Sequence, residues 1–366
     1  MPCHTVRIGL ACNEGCLYCF ADPELWADRP RGWGRDYANL IGDDWRREFR
    51  EIRRAGYDGL SITGGEPLLH PDLLKMVRYA RLLGFQQVEL QTNATLLTRS
   101  NARRLVKAGV CSALISLPSH LEKNYNAITA TRGYHEAALS GIRHMLDLGV
   151  RVTVAHVMCT ANYTDVPEFV DFVCDRFPEV EWVSFLYVQP EGRATQNPRL
   201  YPDLDDLRPY WETAMARCAR RGLRFRSDVQ TGLPLCMMTG YEERVDMGML
   251  LRPDRFWSDD ITSFAYMQSH KRHGSGCAEC YFSKVCYGFW NEYQDTYGDA
   301  ALRPVRATPR LDELFPEVAA GAEAPNVSPG VYVKASRMEA RAGIRRMPSR
   351  EAHKVPARAG RAVGSA

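Results

Sequence analysis

The chain has 366 residues, of which 45% are hydrophobic, so it is long enough for one large domain or two moderate ones. It contains no apolar run of about 18 residues, which argues against a membrane-spanning helix, and its start lacks the pattern of a signal peptide. We therefore expect a cytoplasmic protein whose twelve cysteines are reduced thiols rather than a disulfide framework. Seven of them fall into two clusters, a distribution that is typical of metal binding.

The formal net charge of +3 is concentrated near the C-terminus. Between Lys334 and Arg361 there are nine Lys and Arg against two Glu, so the rest of the chain is slightly acidic. This segment is rich in Ala, Arg, Pro and Gly and poor in aromatic residues, which predicts a disordered tail. An arm that docks on nucleic acid or on a partner is the alternative for the tail, and we expect no nucleic-acid binding elsewhere.

Short β-rich runs alternate with amphipathic helical runs from residue 5 to about 190. The predicted strands are 5–10, 59–63, 87–92, 113–117, 151–158 and 182–188, and the predicted helices are 44–56, 71–84, 100–109, 134–149 and 166–177. This alternation predicts an α/β fold with a parallel sheet of right-handed βαβ units. Six units would form a partial (β/α)6 TIM-like barrel, and an open, doubly wound sheet is the alternative.

We expect three regions along the chain. Residues 1–225 form the barrel, 226–305 form a small cysteine-rich domain, and 306–366 form the largely disordered basic tail.

In either sheet arrangement, functional groups gather at the carboxyl ends of the strands. A three-cysteine run follows the first strand, GGEP follows the second, TNAT follows the third, Ser116 lies near the end of the fourth, and QPEGRA follows the sixth. These segments are therefore predicted to meet at one rim.

The first cysteine cluster has the spacing Cys-x3-Cys-x2-Cys at Cys12, Cys16 and Cys19, and the next thiol is only at Cys111. A structural zinc site uses four ligands. Three thiols fit a [4Fe–4S] cluster better, because its fourth iron then stays open to chelate a ligand.

Together, CNEGCLYC at 12–19 and GGEP at 64–67 resemble the cluster-binding and S-adenosylmethionine (SAM)-binding motifs of the radical SAM superfamily, and the resemblance extends over roughly residues 5–300. It implies that the open iron chelates SAM, and that an electron from a reductant such as flavodoxin or ferredoxin releases a 5′-deoxyadenosyl radical. The residues that the resemblance places at SAM are Tyr18, Gly64, Gly65, Glu66, Pro67, Asn93 and Ser116. For Ser116, an ordinary polar strand end is an equally good account.

The second cluster consists of four thiols, Cys236, Cys277, Cys280 and Cys286, which predict a closed metal site. By spacing alone, zinc and iron–sulfur fit about equally well. The pattern resembles a SPASM domain or its shortened twitch form, which implies an auxiliary [4Fe–4S] cluster for electron transfer. Trp290 stands where the longer form has another cysteine, which predicts one auxiliary cluster. The remaining five cysteines are expected to be structural.

These features lead to a hypothesis of an oxidoreductase or maturase that oxidises or cross-links a peptide or natural-product intermediate. A radical SAM dehydrogenase that acts on an aminocyclitol or sugar is the alternative. The molybdenum-cofactor GTP cyclase resembled by this layout has three auxiliary cysteines, so the four found here argue against that activity. Two other classes stay open: an iron–sulfur carrier or scaffold, and a zinc-stabilised interaction protein. We predict no catalytic side chain, and we expect Tyr187, Gln189, Glu191 and Arg193 to face the rim.

Overall fold

The β-rich runs form one seven-stranded parallel sheet in the computed structural model, which describes residues 3–20, 44–227, 232–245, 251 and 270–324. Its strands are β1 (Cys3–Arg7), β2 (Gly59–Thr63), β3 (Gln87–Thr92), β4 (Ser112–Ser116), β5 (Arg151–Met158), β6 (Trp182–Tyr187) and β7 (Phe225–Ser227). They lie side by side in chain order, and every neighbouring pair is parallel. A doubly wound sheet would reverse this order part-way. The predicted partial TIM-like barrel is therefore confirmed, with one strand more than predicted.

Helices connect successive strands on the outside of the sheet. They are α1 (Asp44–Arg54), α2 (Leu73–Leu82), α3 (Arg99–Ala108), α4 (Glu122–Thr129), α5 (His135–Leu146), α6 (Val166–Arg176) and α7 (Leu204–Arg221). Their ends follow ordinary capping chemistry: the Thr98 side chain accepts a hydrogen bond from the Asn101 backbone N–H at the start of α3, and Gly222 ends α7 in the left-handed conformation. Among the described residues, no helix is long and apolar enough to cross a membrane.

The two faces of the barrel strands differ in polarity. Side chains that face the helices, such as Ile62, Leu90 and Val154, are fully buried in the hydrophobic core. On the inner face, Ser61 donates a hydrogen bond to Glu89 at 2.8 Å and accepts one from Gln91 at 2.9 Å. Most TIM barrels instead fill their interior with Val, Ile and Leu. The polar inner face is thus a distinctive feature of this barrel.

A small cysteine-containing region follows the barrel. Its elements are the antiparallel pair β8 (Lys271–Arg272) and β9 (Phe289–Trp290), then α8 (Asn291–Tyr297), α9 (Pro309–Leu314) and α10 (Pro316–Ala319). The basic segment from Lys334 to Arg361, for which we predict disorder, lies outside the described residues.

Aromatic side chains attach this region to the outer face of the barrel. The Phe289 ring lies 5.0 Å from that of Tyr187 at the end of β6 and 5.1 Å from that of Tyr293, centroid to centroid. Trp211 of α7 also donates a hydrogen bond from Nε1 to the Met237 carbonyl oxygen at 2.9 Å. Tyr187 is consequently buried on the helix-facing side of β6, and the expectation that it faces the rim is wrong.

We predict that Phe289→Ala lowers the free energy of unfolding by roughly 3–5 kcal/mol, because it removes a fully buried ring from the contact between barrel and cysteine-rich region. Denaturant unfolding of the purified protein measures the change. Leu82→Ala is the matched control: this side chain is 83% exposed, so its loss should change stability by less than about 0.5 kcal/mol. Equal effects of the two substitutions would contradict the packing described here.

Candidate active site

The loop that carries Cys12, Cys16 and Cys19 is joined to the GGEP segment by backbone hydrogen bonds. The Gly65 N–H donates to the Gly9 carbonyl oxygen, and the Glu66 N–H donates to the Ala11 carbonyl oxygen, both at 2.8 Å. This approach leaves no space for a side chain, because a Cβ atom on Gly65 would lie 2.3 Å from the Ala11 oxygen. The glycine is therefore required by the contact between the two loops.

Glu66 fixes the GGEP segment to the end of β3. Its carboxylate accepts hydrogen bonds from the Leu68 N–H, the Asn93 N–H and the Thr92 hydroxyl, at 2.8–2.9 Å. Burial raises the pKa of this carboxyl to about 7, and these donors oppose the rise by stabilising the charged form. Pro67 begins a short 3-10 turn directly after it. The carboxylate is thus oriented by the protein itself.

Asn93 joins the third strand to the cysteine loop. Its side-chain amide donates to Asn13 Oδ1 at 3.0 Å, while its own oxygen accepts from the Thr95 hydroxyl at 2.8 Å. Asn13 in turn donates to the Thr95 hydroxyl at 2.8 Å, which closes a three-residue network. The Asn93 side chain, placed at SAM by the resemblance, therefore also holds the cysteine loop.

The C-terminal half of α4 supports the cysteine loop from another side. Backbone carbonyls of Ile128 and Thr129 accept hydrogen bonds from the Leu17 and Gly15 N–H groups, at 2.9 and 2.8 Å. The buried Tyr125 hydroxyl donates to Glu14 at 2.5 Å. These three bonds cross more than 100 positions of sequence, and they fix the middle of the loop between its cysteines.

The turn after β6 closes over the last cysteine. The Arg193 N–H donates to the Cys19 carbonyl oxygen at 3.0 Å, and its guanidinium donates to the Cys16 carbonyl oxygen at 3.4 Å. Gly192 has a φ of 55°, and a Cβ atom there would meet the Cys19 oxygen at 2.2 Å. The predicted convergence of the segments after strands one, two, three and six is therefore present in the structure.

The thiols of this loop are suited to hold a metal cluster rather than to act as free nucleophiles. Burial raises the pKa of Cys12 to about 11 and that of Cys16 well above its usual value, and neighbouring carboxylates and thiols add to the rise. Without metal they are thus protonated at neutral pH. A bound metal displaces such protons, because thiolates are its ligands. Three thiols lie on one fixed loop, next to Gly64 and Gly65, which have no side chains. This arrangement fits a cluster whose open iron binds SAM.

Two further residues assigned to SAM are Tyr18, which lies within this loop, and Ser116, which lies on β4. The Tyr18 hydroxyl is buried and has no hydrogen-bond partner among the described residues, and the ring packs against the hydrophobic core. Ser116 lies at the end of β4 on the polar inner face, beside Ala155 of β5, and is partly exposed. Ser116 can thus reach the space inside the barrel, whereas the Tyr18 hydroxyl points into the protein.

The second set of cysteines lines one recess in the region after the barrel. Cys236, Cys277, Cys280 and Cys286 all line this recess, together with nonpolar side chains such as Leu235, Phe282 and Leu302. Two sulfurs also accept backbone hydrogen bonds: Cys286 from the Gly288 N–H at 3.3 Å, and Cys280 from the Val305 N–H at 3.4 Å. No three His, Cys, Asp or Glu side chains in the described parts of the chain converge tightly enough for a single ion. The four thiols therefore share one recess without forming a single-ion site in the described structure.

Sequence patterns did not reveal several residues that hold the first site. Asn13 and Glu14 lie between the cysteines, so their position in the motif could have marked them as loop-holding groups. Thr95 follows the third strand within TNAT. Tyr125 had no such signal, because its contact with Glu14 exists only in the folded chain.

The Radical SAM superfamily model matches residues 6–173, the segment that contains both loops of this site. This chain carries a radical SAM domain. Enzymes of the radical SAM superfamily use SAM with a [4Fe–4S] cluster, and the twelve cysteines of this chain are consistent with auxiliary clusters as well.

Curated relatives match the same part of the chain. A probable GTP 3′,8-cyclase of Methanopyrus kandleri is 29% identical over 188 residues, which are 51% of this chain and 56% of the relative. A PqqA peptide cyclase of Bradyrhizobium diazoefficiens is 27% identical over 186 residues, 51% of this chain and 46% of the relative. The chain thus spans about half the length of such relatives.

Solved structures with the same fold cover more of the chain. Streptococcus suis SuiB bound to S-adenosylmethionine aligns with a TM-score of 0.54 at 17% identity, over 84% of this chain and 75% of that one. Native anSMEcpe with bound AdoMet aligns with a TM-score of 0.53 at 16% identity, over 92% and 99% of the two chains. At this identity the similarity establishes the fold.

We predict that Gly65→Ala costs roughly 1–3 kcal/mol of stability and reduces iron loading of the first site, because its methyl group would collide with the backbone of the cysteine loop. Unfolding curves and iron content after anaerobic reconstitution measure both effects. Gly9→Ala is the matched control, since a Cβ atom there meets nothing within 4 Å. Normal iron loading in Gly65→Ala would show that the close approach is not required.

Proposed function

We propose that the chain is a radical SAM oxidoreductase or maturase that acts on a peptide or natural-product intermediate. The observation that carries this proposal is the fixed position of the Cys12–Cys16–Cys19 loop against the 64–67 segment, held by direct backbone hydrogen bonds. The PqqA peptide cyclase among the relatives supports a peptide as substrate. A cytoplasmic location and a flavodoxin or ferredoxin as reductant belong to the same proposal.

The residues of the first site have separate roles in this proposal. Cys12, Cys16 and Cys19 would hold the cluster, and the 64–67 segment would receive the methionine end of SAM, together with Tyr18, Asn93 and Ser116. When bound, the reduced cluster supplies the electron that splits SAM into methionine and a 5′-deoxyadenosyl radical, which removes a hydrogen atom from the substrate. Glu66 orients the SAM-facing segment through its bonds to the end of β3.

The recess after the barrel would hold one auxiliary [4Fe–4S] cluster in a SPASM- or twitch-type region. Its four thiols supply a complete ligand set, and we propose a cluster rather than zinc because the first site has the three-cysteine spacing of an iron–sulfur protein. Because four protein ligands leave no iron open for substrate, electron transfer is the role that fits this cluster. Accepting an electron from a substrate radical would make the overall reaction an oxidation or an oxidative cross-link. We accordingly propose a domain division near residues 225 and 305.

A small polar substrate, such as an aminocyclitol or sugar, is the second candidate. The inner face of the barrel favours it, because Ser61, Glu89 and Gln91 present hydroxyl, carboxylate and amide groups toward the interior. Such groups pair with the hydroxyls and amines of a polar substrate.

The test of the proposed reaction is release of 5′-deoxyadenosine by the anaerobically reconstituted, reduced protein in the presence of SAM. We expect product from the wild type and a loss of at least about 100-fold in Cys16→Ala, because that substitution removes a cluster ligand. Cys111→Ala is the matched control, since this thiol lies outside both clusters, and it should retain activity.

A wild-type protein that holds about eight irons but neither binds SAM nor releases 5′-deoxyadenosine would contradict the proposal. That result would favour an iron–sulfur carrier or scaffold. A colourless protein that holds zinc would instead favour the interaction protein.

A further inference from the structure

The helices α2 and α3 carry an excess of positive charge on the outside of the barrel. Between Leu73 and Leu121 the chain has seven Lys and Arg but only one carboxylate, Glu89, which lies on the inner face of the sheet. All seven cations are exposed, and we call them the cationic face: Lys75, Arg78, Arg81, Arg99, Arg103, Arg104 and Lys107.

Most members of the cationic face have no carboxylate partner. Lys75 pairs with Asp72 at 2.7 Å. Five others form no ion pair within the described parts of the chain: Arg78, Arg99, Arg103, Arg104 and Lys107. The contrast with α7 is clear, because Arg217 of that helix pairs with Asp171 at 2.6 Å. The positive charge of α2 and α3 is therefore not neutralised by the protein itself.

The spacing of these cations adds to their repulsion. Arg99, Arg103 and Lys107 follow one another at intervals of four residues, so they lie along one side of α3. Like charges at this spacing destabilise a helix, and an anionic surface in contact with them would relieve the repulsion. Arg81 connects the two helices, because a Cβ atom on Gly109 would lie 2.3 Å from its Cγ atom. The cationic face is thus one continuous surface.

The cationic face begins at the rim that carries the first cysteine loop. Both helices follow rim segments, α2 after the 64–69 segment and α3 after TNAT. Thr95 accepts a hydrogen bond at 2.8 Å from Asn13, which lies between the cysteines of the loop. Arg99 is four residues further along the chain, a span of at most about 14 Å. A protein docked over the start of α3 would therefore lie beside the first site.

The other side chains of this surface favour a protein over a nucleic acid. Leu69, just before α2, is 43% exposed, and Leu82 at the end of α2 is 83% exposed. Apolar side chains among polar ones are typical of protein interfaces. Single-stranded nucleic acid is instead bound through exposed aromatic rings. The only aromatic residue of α2 and α3, Tyr79, already contacts Arg50 and Trp45.

We infer that the cationic face of α2 and α3 is the docking surface for an acidic electron-carrier protein, a flavodoxin or ferredoxin. In the step that follows docking, the carrier loses one electron and the cluster held by the cysteine loop gains it. The inference rests on the proposed function, which includes such a carrier. It deepens that function by assigning the docking surface and the charge of the partner.

The test compares protein carriers with a small reductant on the full-length, anaerobically reconstituted protein. Release of 5′-deoxyadenosine from SAM is measured with reduced flavodoxin, with reduced ferredoxin and with dithionite. In the triple variant Arg99→Gln, Arg103→Gln and Lys107→Gln, we expect the carrier-driven rate at low ionic strength to fall at least about 10-fold. The dithionite-driven rate should equal that of the wild type, because dithionite needs no docking surface.

Binding of the oxidised carrier provides a readout that requires no turnover. The Kd of the carrier that drives the wild type is measured by calorimetry at low ionic strength, and it should rise at least about 10-fold in the triple variant. Added salt should weaken binding to the wild type, because it screens exposed charges. The triple variant should unfold at or above the wild-type denaturant midpoint, since it loses a repulsion within α3.

The matched control removes the same charge from other surfaces. Arg176, Arg220 and Arg306 are exposed, lie outside α2 and α3, and form no ion pair within the described parts of the chain. The variant Arg176→Gln, Arg220→Gln and Arg306→Gln should therefore keep the wild-type Kd and the wild-type rate with the carrier.

The outcomes separate this inference from the proposed function. Equal carrier-driven rates and Kd values in the wild type and the triple variant would overturn the docking surface, as would a wild type that responds to dithionite but to neither carrier. Either result leaves the proposed function intact, and RNA or an acidic peptide would then be the occupant to examine. A wild type that releases no 5′-deoxyadenosine with dithionite would instead contradict the proposed function.

Discussion

The close approach of two backbone segments, 9–11 after β1 and 64–66 after β2, is the constraint on which the site depends. Adjacent parallel strands bring their carboxyl-end loops together, and two hydrogen bonds join these loops directly. The contact is possible only because Gly65 has no side chain. It places the thiol-bearing loop and the ligand-facing segment side by side.

Other rim segments extend this constraint around the cysteine loop. Asn93 from the end of β3, Tyr125 from α4 and Arg193 after β6 each bind a different part of the loop. Single hydrogen bonds of this kind contribute about 1 kcal/mol each, so the loop is held by their number rather than by any one of them. A loop ordered in advance loses less conformational entropy when it binds a cluster.

The sequence predicted most of the barrel because strand and helix periodicities are local. The predicted strands at 59–63, 87–92 and 151–158 coincide with β2, β3 and β5, and the first strand begins two residues and ends three residues earlier than predicted. The three-residue β7 is too short to leave a pattern, and α4, which contains two Asn and a Thr among its eight residues, lacks a strong helical signal. The missed α4 is also the helix that holds the cysteine loop.

The site residues were predictable where residue type and spacing along the chain indicate a binding function, as for the seven cysteines and the 64–67 segment. Contacts that form only in the folded chain were not predictable, and the hydrogen bond of Tyr125 to Glu14 is one of them. The expectation for Tyr187 was wrong because side chains alternate between the two faces of β6, and Tyr187 lies on the face that packs against the helices. A shift of one residue along a strand moves a side chain to the opposite face.

Amide hydrogen exchange of the metal-free protein tests most directly whether the fold orders the cysteine loop before a cluster binds. The N–H groups of Gly15 and Leu17, bonded to the carbonyls of Thr129 and Ile128, should exchange slowly, as should that of Gly65. The Glu14 N–H is exposed and donates to the Cys12 sulfur at 3.4 Å, so it should exchange faster. Exchange of Gly15 and Leu17 at the rate of an unstructured chain would contradict the account.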